Sequence, residues 1–234
     1  MTRLNEFGQP IGSDLPDWAP RPRPPRLVME GHTVRIEPID PARHAAEIMS
    51  HLSRPGDDPL WTYLAYGPFR DDAEYRDYLA RHCLGDDPLM HAIVDKATGK
   101  AAGQAAYLRI DPANGVIEVG HLLFTPVLQR RVAATEAMYL MMARAFDELG
   151  YRRYEWKCDA LNAPSRTAAL RLGFTFEGVF RQAVVTKGRN RDTAWFAITD
   201  QEWPAIRQAF QTWLAPGNFH AGGQQKTALR ARQA

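Results

Sequence analysis

The chain has 234 residues, of which 45% are hydrophobic and 24% charged, with 17 Gly and 17 Pro. This composition excludes a wholly disordered chain, and the length is enough to bury roughly 70% of the unfolded chain's surface. The formal net charge is only +2, which is too balanced to indicate a nucleic-acid-binding surface.

Two cysteines are present, Cys83 and Cys158, and their wide separation excludes a CxxC metal or redox motif and a disulfide framework. The first ten residues hold no apolar core of a signal peptide, and Glu136 and Arg144 interrupt the most apolar stretch. We therefore expect a cytoplasmic protein with reduced thiols and no membrane, metal or nucleic-acid partner.

Residues 1–27 form a Pro-rich arm, because four closely spaced prolines between positions 20 and 25 remove N–H donors and favour an extended path. The arm could be a solvated tail, or it could pack along the domain through Trp18. Residues 28–214 are predicted to form a single domain. Residues 215–234 lack periodicity and are predicted to be disordered.

Within the domain, hydrophobic periodicity predicts alternating strands and helices. Seven strands are predicted near residues 33–37, 91–95, 101–110, 116–124, 154–158, 179–186 and 193–198. Helices are predicted over residues 41–52, 71–83, 133–149, 164–172 and 201–214. The order β-α-α-β-β-β-α-β-α-β-β, with a closing helix, indicates a mixed α/β fold with one sheet.

The junction between the fourth strand and the central helix is a candidate anion site. Arg130 and Arg131 stand immediately before the helix, whose first free N–H groups and dipole attract negative charge. A pyrophosphate would fit there, although two solvent-facing arginines before an ordinary helix would give the same pattern. The motifs GxxxxGK[ST], GxSxG and HExxH are absent, which argues against ATPase, serine-hydrolase and zinc-protease functions.

These residues resemble the Gcn5-related N-acetyltransferases, in particular the branch of ribosomal-protein N-terminal acetyltransferases, over about residues 33–200. Gln129 and Ala134 match that family's acetyl-CoA motif Q/R-x-x-G-x-G/A, while Val132 stands where its glycine is usual. A second match runs over residues 151–165 and continues through Leu172-Gly173-Phe174 and Glu177-Gly178.

The resemblance implies a mostly antiparallel sheet of about seven strands, flanked by helices and splayed between strands 4 and 5 to admit the pantetheine arm. It implies acetyl-CoA as co-substrate and allows a homodimer. The residues it assigns to the cofactor are Leu122, Leu123, Phe124, Gln129, Arg130, Arg131, Val132, Ala133, Ala134, Thr135, Asn162 and Ser165.

Acetyl transfer to an amine needs a base, N–H donors for the oxyanion and, at most, an acid for the departing thiolate. Glu118 matches a catalytic glutamate in several family members, and His121 is a rival base because its ordinary pKa suits the task. Where many relatives use a tyrosine acid, this chain has Ala169. Ser165 matches a serine that the ribosomal-protein branch uses instead, and the resemblance therefore makes it the replacement candidate.

The acceptor pocket is expected from segments outside the cofactor motif. Trp61, Tyr63 and Trp156 are candidate aromatic walls, and Asp57, Asp58 or Asp159 could attract an amine's positive charge.

Three functions were compatible with these residues. The first is N-acetylation of a small amine or aminoacyl conjugate. The second is N-acetylation of a protein's α-amino group. The third is a non-catalytic acyl-CoA-binding module, suggested by Val132 and Ala169. An adaptor role for the Pro-rich arm rests only on Pro22–Pro25.

Overall fold

The computed structural model describes residues 3–52 and 58–232. The strands within these ranges are β1 (Arg3–Leu4), β2 (Pro10–Ile11), β3 (Met29–Glu30), β4 (Val34–Pro38), β5 (Leu89–Asp95), β6 (Lys100–Asp111), β7 (Val116–Phe124), β8 (Arg153–Asp159), β9 (Thr175–Thr186) and β10 (Arg189–Thr199). The α-helices are α1 (Pro41–Met49), α2 (Asp72–His82), α3 (Val132–Ala143), α4 (Ala163–Arg171) and α5 (Trp203–Leu214). A π-helical turn, Arg144–Glu148, follows α3, and short 3-10 turns span Asp58–Trp61 and Pro216–Asn218.

Eight of the described strands form one sheet in the order β3-β4-β5-β6-β7-β8-β10-β9, and β1 and β2 pair separately. All neighbours in the large sheet are antiparallel except β7 and β8. The predicted mixed, mostly antiparallel sheet is confirmed, and each of the seven predicted strands is present. The eighth strand, β3, has only two residues and lies at one edge, too short to give a periodic signal.

The sheet opens between β7 and β8, as the resemblance implied. The two strands pair only from Val116 with Arg153 to Val119 with Trp156, although β7 continues to Phe124. Beyond that point a bulge in β7 places two residues, at 121 and 122, opposite one residue of β6. The bulge bends the strand away from β8 and leaves backbone groups outside the ladder.

Helices cover both faces of the sheet. On one face α3 and α5 pack against a core that includes Met141, Tyr154 and Phe196. On the other face α1 and α2 pack over a second core that includes Ile48 and Leu79. Among the described residues, no helix is both long and apolar enough to cross a membrane.

The N-terminal arm lies along the domain. The indole N–H of Trp18 donates to the carbonyl of Ala113 at 2.9 Å, and the Tyr151 hydroxyl donates to the carbonyl of Pro22 at 3.2 Å. Arg144, which is buried, donates to the carbonyls of Leu27 and Val28. Of the two alternatives for the arm, packing is therefore the one that the structure shows.

The C-terminal segment differs from the expectation of disorder as far as residue 232. Leu229 and Ala231 are buried against the core beside α5, and Arg232 donates to the carbonyl of Gly173 at 2.9 Å. Two isolated apolar residues in a polar stretch produce no periodicity, so the sequence pattern could not indicate that they pack.

The hairpin of β9 and β10 also differs in its bounds. β9 begins at Thr175 rather than 179, and the turn consists of Lys187 and Gly188 alone, between the paired residues Thr186 and Arg189. Both turn residues have positive φ, 49° and 71°, as two-residue hairpin turns of the I′ type require. The hairpin is therefore longer than predicted, and it extends beyond the sheet toward the candidate site.

Candidate active site

A cavity of about 680 Å³ lies where β7 and β8 diverge. The β9–β10 hairpin closes one side of it, and the segment at 59–66 closes another. Tip residues of the hairpin tie these two walls together, because Lys187 Nζ donates to the Trp61 carbonyl at 2.9 Å and Arg189 donates to the Thr62 carbonyl at 3.0 Å. Of the predicted site residues, the cavity is lined by Tyr63, Glu118, His121, Leu122, Trp156, Asn162, Ser165 and Asp159.

Glu118 lies on β7 just before the strands separate, and only 4% of its surface is exposed. Its Oε2 lies 2.8 Å from Lys157 Nζ and 3.3 Å from Arg109 Nε. Burial raises the pKa of the Glu118 carboxyl, and the charges of Lys157 and Arg109 oppose that rise. A carboxylate of raised pKa is a stronger base than an exposed one.

Lys157 was not predicted as a site residue. Its ammonium lies 2.8 Å from Glu118, 2.7 Å from Glu155 and 3.8 Å from the centre of the Trp195 ring. The sequence could indicate only part of its position. Trp156 belongs to the core on the α3 face, and side chains alternate along a strand, so Lys157 lies on the opposite face. The proximity to Glu118 depends on the parallel register of β7 and β8, which no local pattern encodes.

His121 occupies the bulge of β7 with a φ of 52°, in the left-handed region that few non-glycine residues adopt. Its ring stacks on Tyr66 with centroids 5.7 Å apart and an interplanar angle of 9°. Burial lowers the pKa of His121, and the nearby charge of Arg109 lowers it further. The imidazole is therefore uncharged at neutral pH, so it is a possible proton acceptor in the cavity beside Glu118.

Ser165 lies in the first turn of α4, on the opposite wall of the opening. Its hydroxyl oxygen accepts from the Trp156 indole N–H at 2.9 Å, and the hydroxyl also hydrogen-bonds the Cys158 side chain, which opposes the rise in the pKa of that thiol. The backbone N–H of Ser165 donates to the side-chain oxygen of Asn162 at 3.1 Å, so Asn162 is the N-cap of α4. Ala169 is fully buried in the core and contributes no acid.

The N-terminus of α3 fits the predicted cofactor site. The first N–H groups of any helix lack intrahelical partners, and here they begin at Val132. Among the described residues, no side chain caps them. Arg130 has a φ of 59°, which turns the chain sharply before the helix, and Gln129 Nε2 fixes the turn by donating to the Phe124 carbonyl at 2.8 Å.

The remaining residues of the predicted cofactor stretch are less accessible. The side chain of Leu123 is buried in the core under α1 and α2, so only its backbone can serve a ligand. Ala133, Ala134 and Thr135 are buried in the first turn of α3, where Thr135 accepts from Arg171 at 3.1 Å. None of these residues lines the 680 Å³ cavity. Of the predicted cofactor residues, the cavity lining therefore includes Leu122, Asn162 and Ser165 but not the start of α3.

The prediction of Trp61 as an acceptor wall was wrong. Its side chain is 2% exposed and packs edge-on against Tyr66, Phe69 and Tyr75 in the second core. Tyr63, by contrast, lines the cavity and donates to the Leu161 carbonyl at 3.2 Å. Of the candidate acids, Asp57 and the side chain of Asp58 lie outside the described residues.

The site holds no metal cluster as far as the chain is described: no group of three His, Cys, Asp or Glu side chains is placed to hold an ion. Both cysteines are free and buried. Cys158 lines the cavity, and burial raises the pKa of its thiol. A thiol of raised pKa is a poor nucleophile at neutral pH.

Known proteins resemble this chain along most of its length. The family model described as an acetyltransferase (GNAT) domain matches residues 33–175. A GCN5-related N-acetyltransferase from Brucella melitensis, known from its crystal structure, is 52% identical with a TM-score of 0.89, covering 92% of this chain and 97% of that one. An uncharacterised N-acetyltransferase of Bacillus licheniformis is 28% identical over 63% of this chain and 84% of its own. A Bacillus subtilis protein provisionally named a ribosomal N-acetyltransferase is 25% identical over 75% of this chain and 95% of its own.

Proposed function

The chain belongs to the GNAT family of acetyl-CoA-dependent acetyltransferases, and from this membership we propose that it acetylates a primary amine in the cavity between β7 and β8. The observation that carries the proposal is the buried Glu118 carboxylate, placed in one cavity with His121 and Ser165. The base and the hydroxyl lie on opposite walls of the opening. An amine and a thioester bound between them would have the base beside the amine and the hydroxyl beside the departing thiolate.

The cofactor would lie along the opening. The free N–H groups at the start of α3, with Arg130 and Arg131, would hold its pyrophosphate. The β7 backbone at Leu122–Phe124 and the Asn162 side chain would hold the pantetheine arm. Bound acetyl-CoA supplies the thioester carbonyl that the amine attacks.

The protein's own groups divide the proton transfers. Glu118, or His121 through its uncharged ring, would take the proton from the attacking amine. Backbone N–H groups freed by the β7 bulge would stabilise the oxyanion, and Ser165 would donate to the departing thiolate. A base of this kind is worth about 10²–10⁴ in rate, so positioning of the two reactants must supply much of the remainder.

We propose a small amine or an aminoacyl conjugate as the acceptor, because the cavity of about 680 Å³ is walled by Tyr63, Trp156 and the hairpin tied to the 59–66 segment. A protein's α-amino group is the second candidate. It is supported by the name of the Bacillus subtilis relative, and the cavity would then receive only the first residues of the chain.

The first test is thermal unfolding with and without acetyl-CoA. At about 100 times its dissociation constant, acetyl-CoA should stabilise the native state by about 2.7 kcal/mol and raise the unfolding midpoint. If the folded protein shows no shift, it lacks the cofactor site, and the transferase proposal fails.

The second test measures thiol release with amine and peptide panels. Glu118→Gln should lower kcat by about 10²-fold or more while the acetyl-CoA midpoint shift is retained. His121→Ala and Ser165→Ala assign the remaining proton transfers. Cofactor binding by the wild type without turnover on any acceptor would instead support the non-catalytic module.

A further inference from the structure

We propose that Lys157 is a positioning residue that determines acceptor specificity: it holds Glu118 as a carboxylate and occupies the place where a protonated acceptor would pair with it, so that the acceptor enters as the uncharged amine. This inference rests on the proposed function. It begins with the parallel register of β7 and β8, in which Glu118 is directly opposite Glu155. Two like charges side by side on neighbouring strands repel each other, most strongly where both are buried.

Lys157 resolves that repulsion. Its ammonium lies within 2.8 Å of both carboxylates, and only 5% of its side chain is exposed. The Trp195 ring lies 3.8 Å away on the adjacent strand, where Trp195 and Lys157 are register partners. A lysine held on three sides by two carboxylates and an aromatic face is fixed in place, so it cannot withdraw to admit a second cation beside Glu118.

Beside Glu118, the remaining charged groups give an ammonium no alternative partner. The described side chains that line the cavity include three cations, Arg109, Lys157 and Arg191, and two anions, Glu118 and Asp159. Arg109 adds a second cation at 3.3 Å from the Glu118 carboxylate. A charged amine that enters beside Glu118 would therefore meet two cations, and the other anion of the described lining, Asp159, stands two residues beyond Lys157 at the end of β8.

Selecting the uncharged amine has a chemical consequence for the class of acceptor. At pH 8.5 most α-amino groups, with an ordinary pKa of about 7.8, are uncharged, whereas only about one lysine ε-amine in a hundred is. Free-base selection alone therefore favours an α-amine over an ε-amine by about 50- to 100-fold. The acceptors expected are weakly basic amines adjacent to a carbonyl, as in aminoacyl groups.

Two isomeric probes test this selection: lysinamide acetylated on its ε-amine, which offers only the α-amine, and lysinamide acetylated on its α-amine. The ratio of their kcat/KM values at pH 8.5 should be about 50 or more in the wild type. In Lys157→Met the carboxylate is released, and the ratio should fall about tenfold. Lys157→Arg retains the cation and should retain the ratio. A ratio near one in the wild type, or one unchanged within about twofold in Lys157→Met, overturns the inference.

Glu155→Gln provides a second test should Lys157→Met fail to fold. In Glu155→Gln, Lys157 pairs with Glu118 alone, so the acid limb of the kcat profile, measured with the amine already bound, should move to lower pH. In Lys157→Met the same limb should move to higher pH. A shift to higher pH in Glu155→Gln contradicts the electrostatic role. Absence of turnover with both isomers in the wild type overturns the proposed function itself, which distinguishes the two failures.

Discussion

The proposed role of Ser165 can be tested directly, because its hydroxyl contacts the side chains of Trp156 and Cys158, and each partner can be changed separately. Ser165→Ala should lower kcat by about 10-fold or more and leave the KM for acetyl-CoA nearly unchanged, since the acid acts on the departing thiolate. Trp156→Phe keeps an aromatic side chain but removes the indole N–H that orients the hydroxyl. A smaller loss in this control, measured by thiol release, would separate orientation from proton donation.

His91 makes stability depend on pH. It is fully buried on β5, and burial lowers its pKa to about 4. Between about pH 6.5 and 4 the unfolded chain carries a proton on this ring and the folded chain does not, so stability falls as the pH falls through that window. The loss between pH 7 and 5 should be about 2 kcal/mol.

Urea unfolding of the wild type and His91→Leu at the two pH values checks this. The difference between pH 7 and 5 should shrink in His91→Leu. Met90→Leu, a neighbouring buried residue without a titrating group, should leave the difference unchanged. An equal pH dependence in wild type and His91→Leu would contradict the assignment.

For single residues, the sequence predicted which side chains could transfer protons better than it predicted which side chains are buried. Glu118, His121 and Ser165 were identified because their residue types suit proton transfer at matched positions, and they line one cavity. Trp61 was misplaced because an aromatic residue that packs inside a core and one that lines a cavity give the same local pattern. Lys157 was missed because its partner Glu118 is remote along the chain.

At the scale of the elements, the position of Val132 in α3 determines whether its side chain obstructs the cofactor. Val132 is the first residue of the helix, and its side chain packs against the core. The side chain therefore does not cover the free N–H groups. Val132→Gly should therefore change acetyl-CoA affinity by less than about threefold. It should lower stability by about 1 kcal/mol or more, because it removes apolar packing and adds backbone freedom.

Calorimetric titration with acetyl-CoA and thermal unfolding measure the two effects. Val132→Ala is the intermediate variant, since it removes packing without the glycine backbone. A gain in affinity of tenfold or more in Val132→Gly would show that the valine does crowd the pyrophosphate.

Element types followed from periodicity, but the irregularities did not. The starts of α1 and α2 were predicted to within one residue, and each helix follows an aspartate, Asp40 or Asp71, whose side chain accepts from an N–H in the first turn. The β7 bulge and the π-helical turn after α3 depend on packing against neighbouring elements, and no residue in either has a distinctive propensity. Of the two, the β7 bulge shapes the site, because His121 and Leu122 line the cavity.

For the whole molecule, the packed arm predicts that residues 1–27 support the domain. Their deletion should lower the unfolding midpoint by several degrees, because it exposes the surface under Trp18 and removes the hydrogen bonds at Ala113, Pro112 and Tyr151. Deletion of residues 1–12 alone, which removes the exposed β1–β2 pair, is the control and should have little effect. Equal midpoints for the two deletions would restore the solvated-tail alternative.

The strands on one side of the opening between β7 and β8 are all synthesised before the strands on the other side. The five strands on one side are complete by Phe124, whereas β8, β9 and β10 follow later. A nascent chain that has folded its first half presents β7 as an unpaired edge, the kind of edge that recruits other strands and nucleates aggregation. Glu118 on β7 and Arg109 beside it on β6 keep charged side chains at that edge before Lys157 arrives with β8. The residue proposed as the base would thus also guard the growing chain against aggregation before any cofactor can bind.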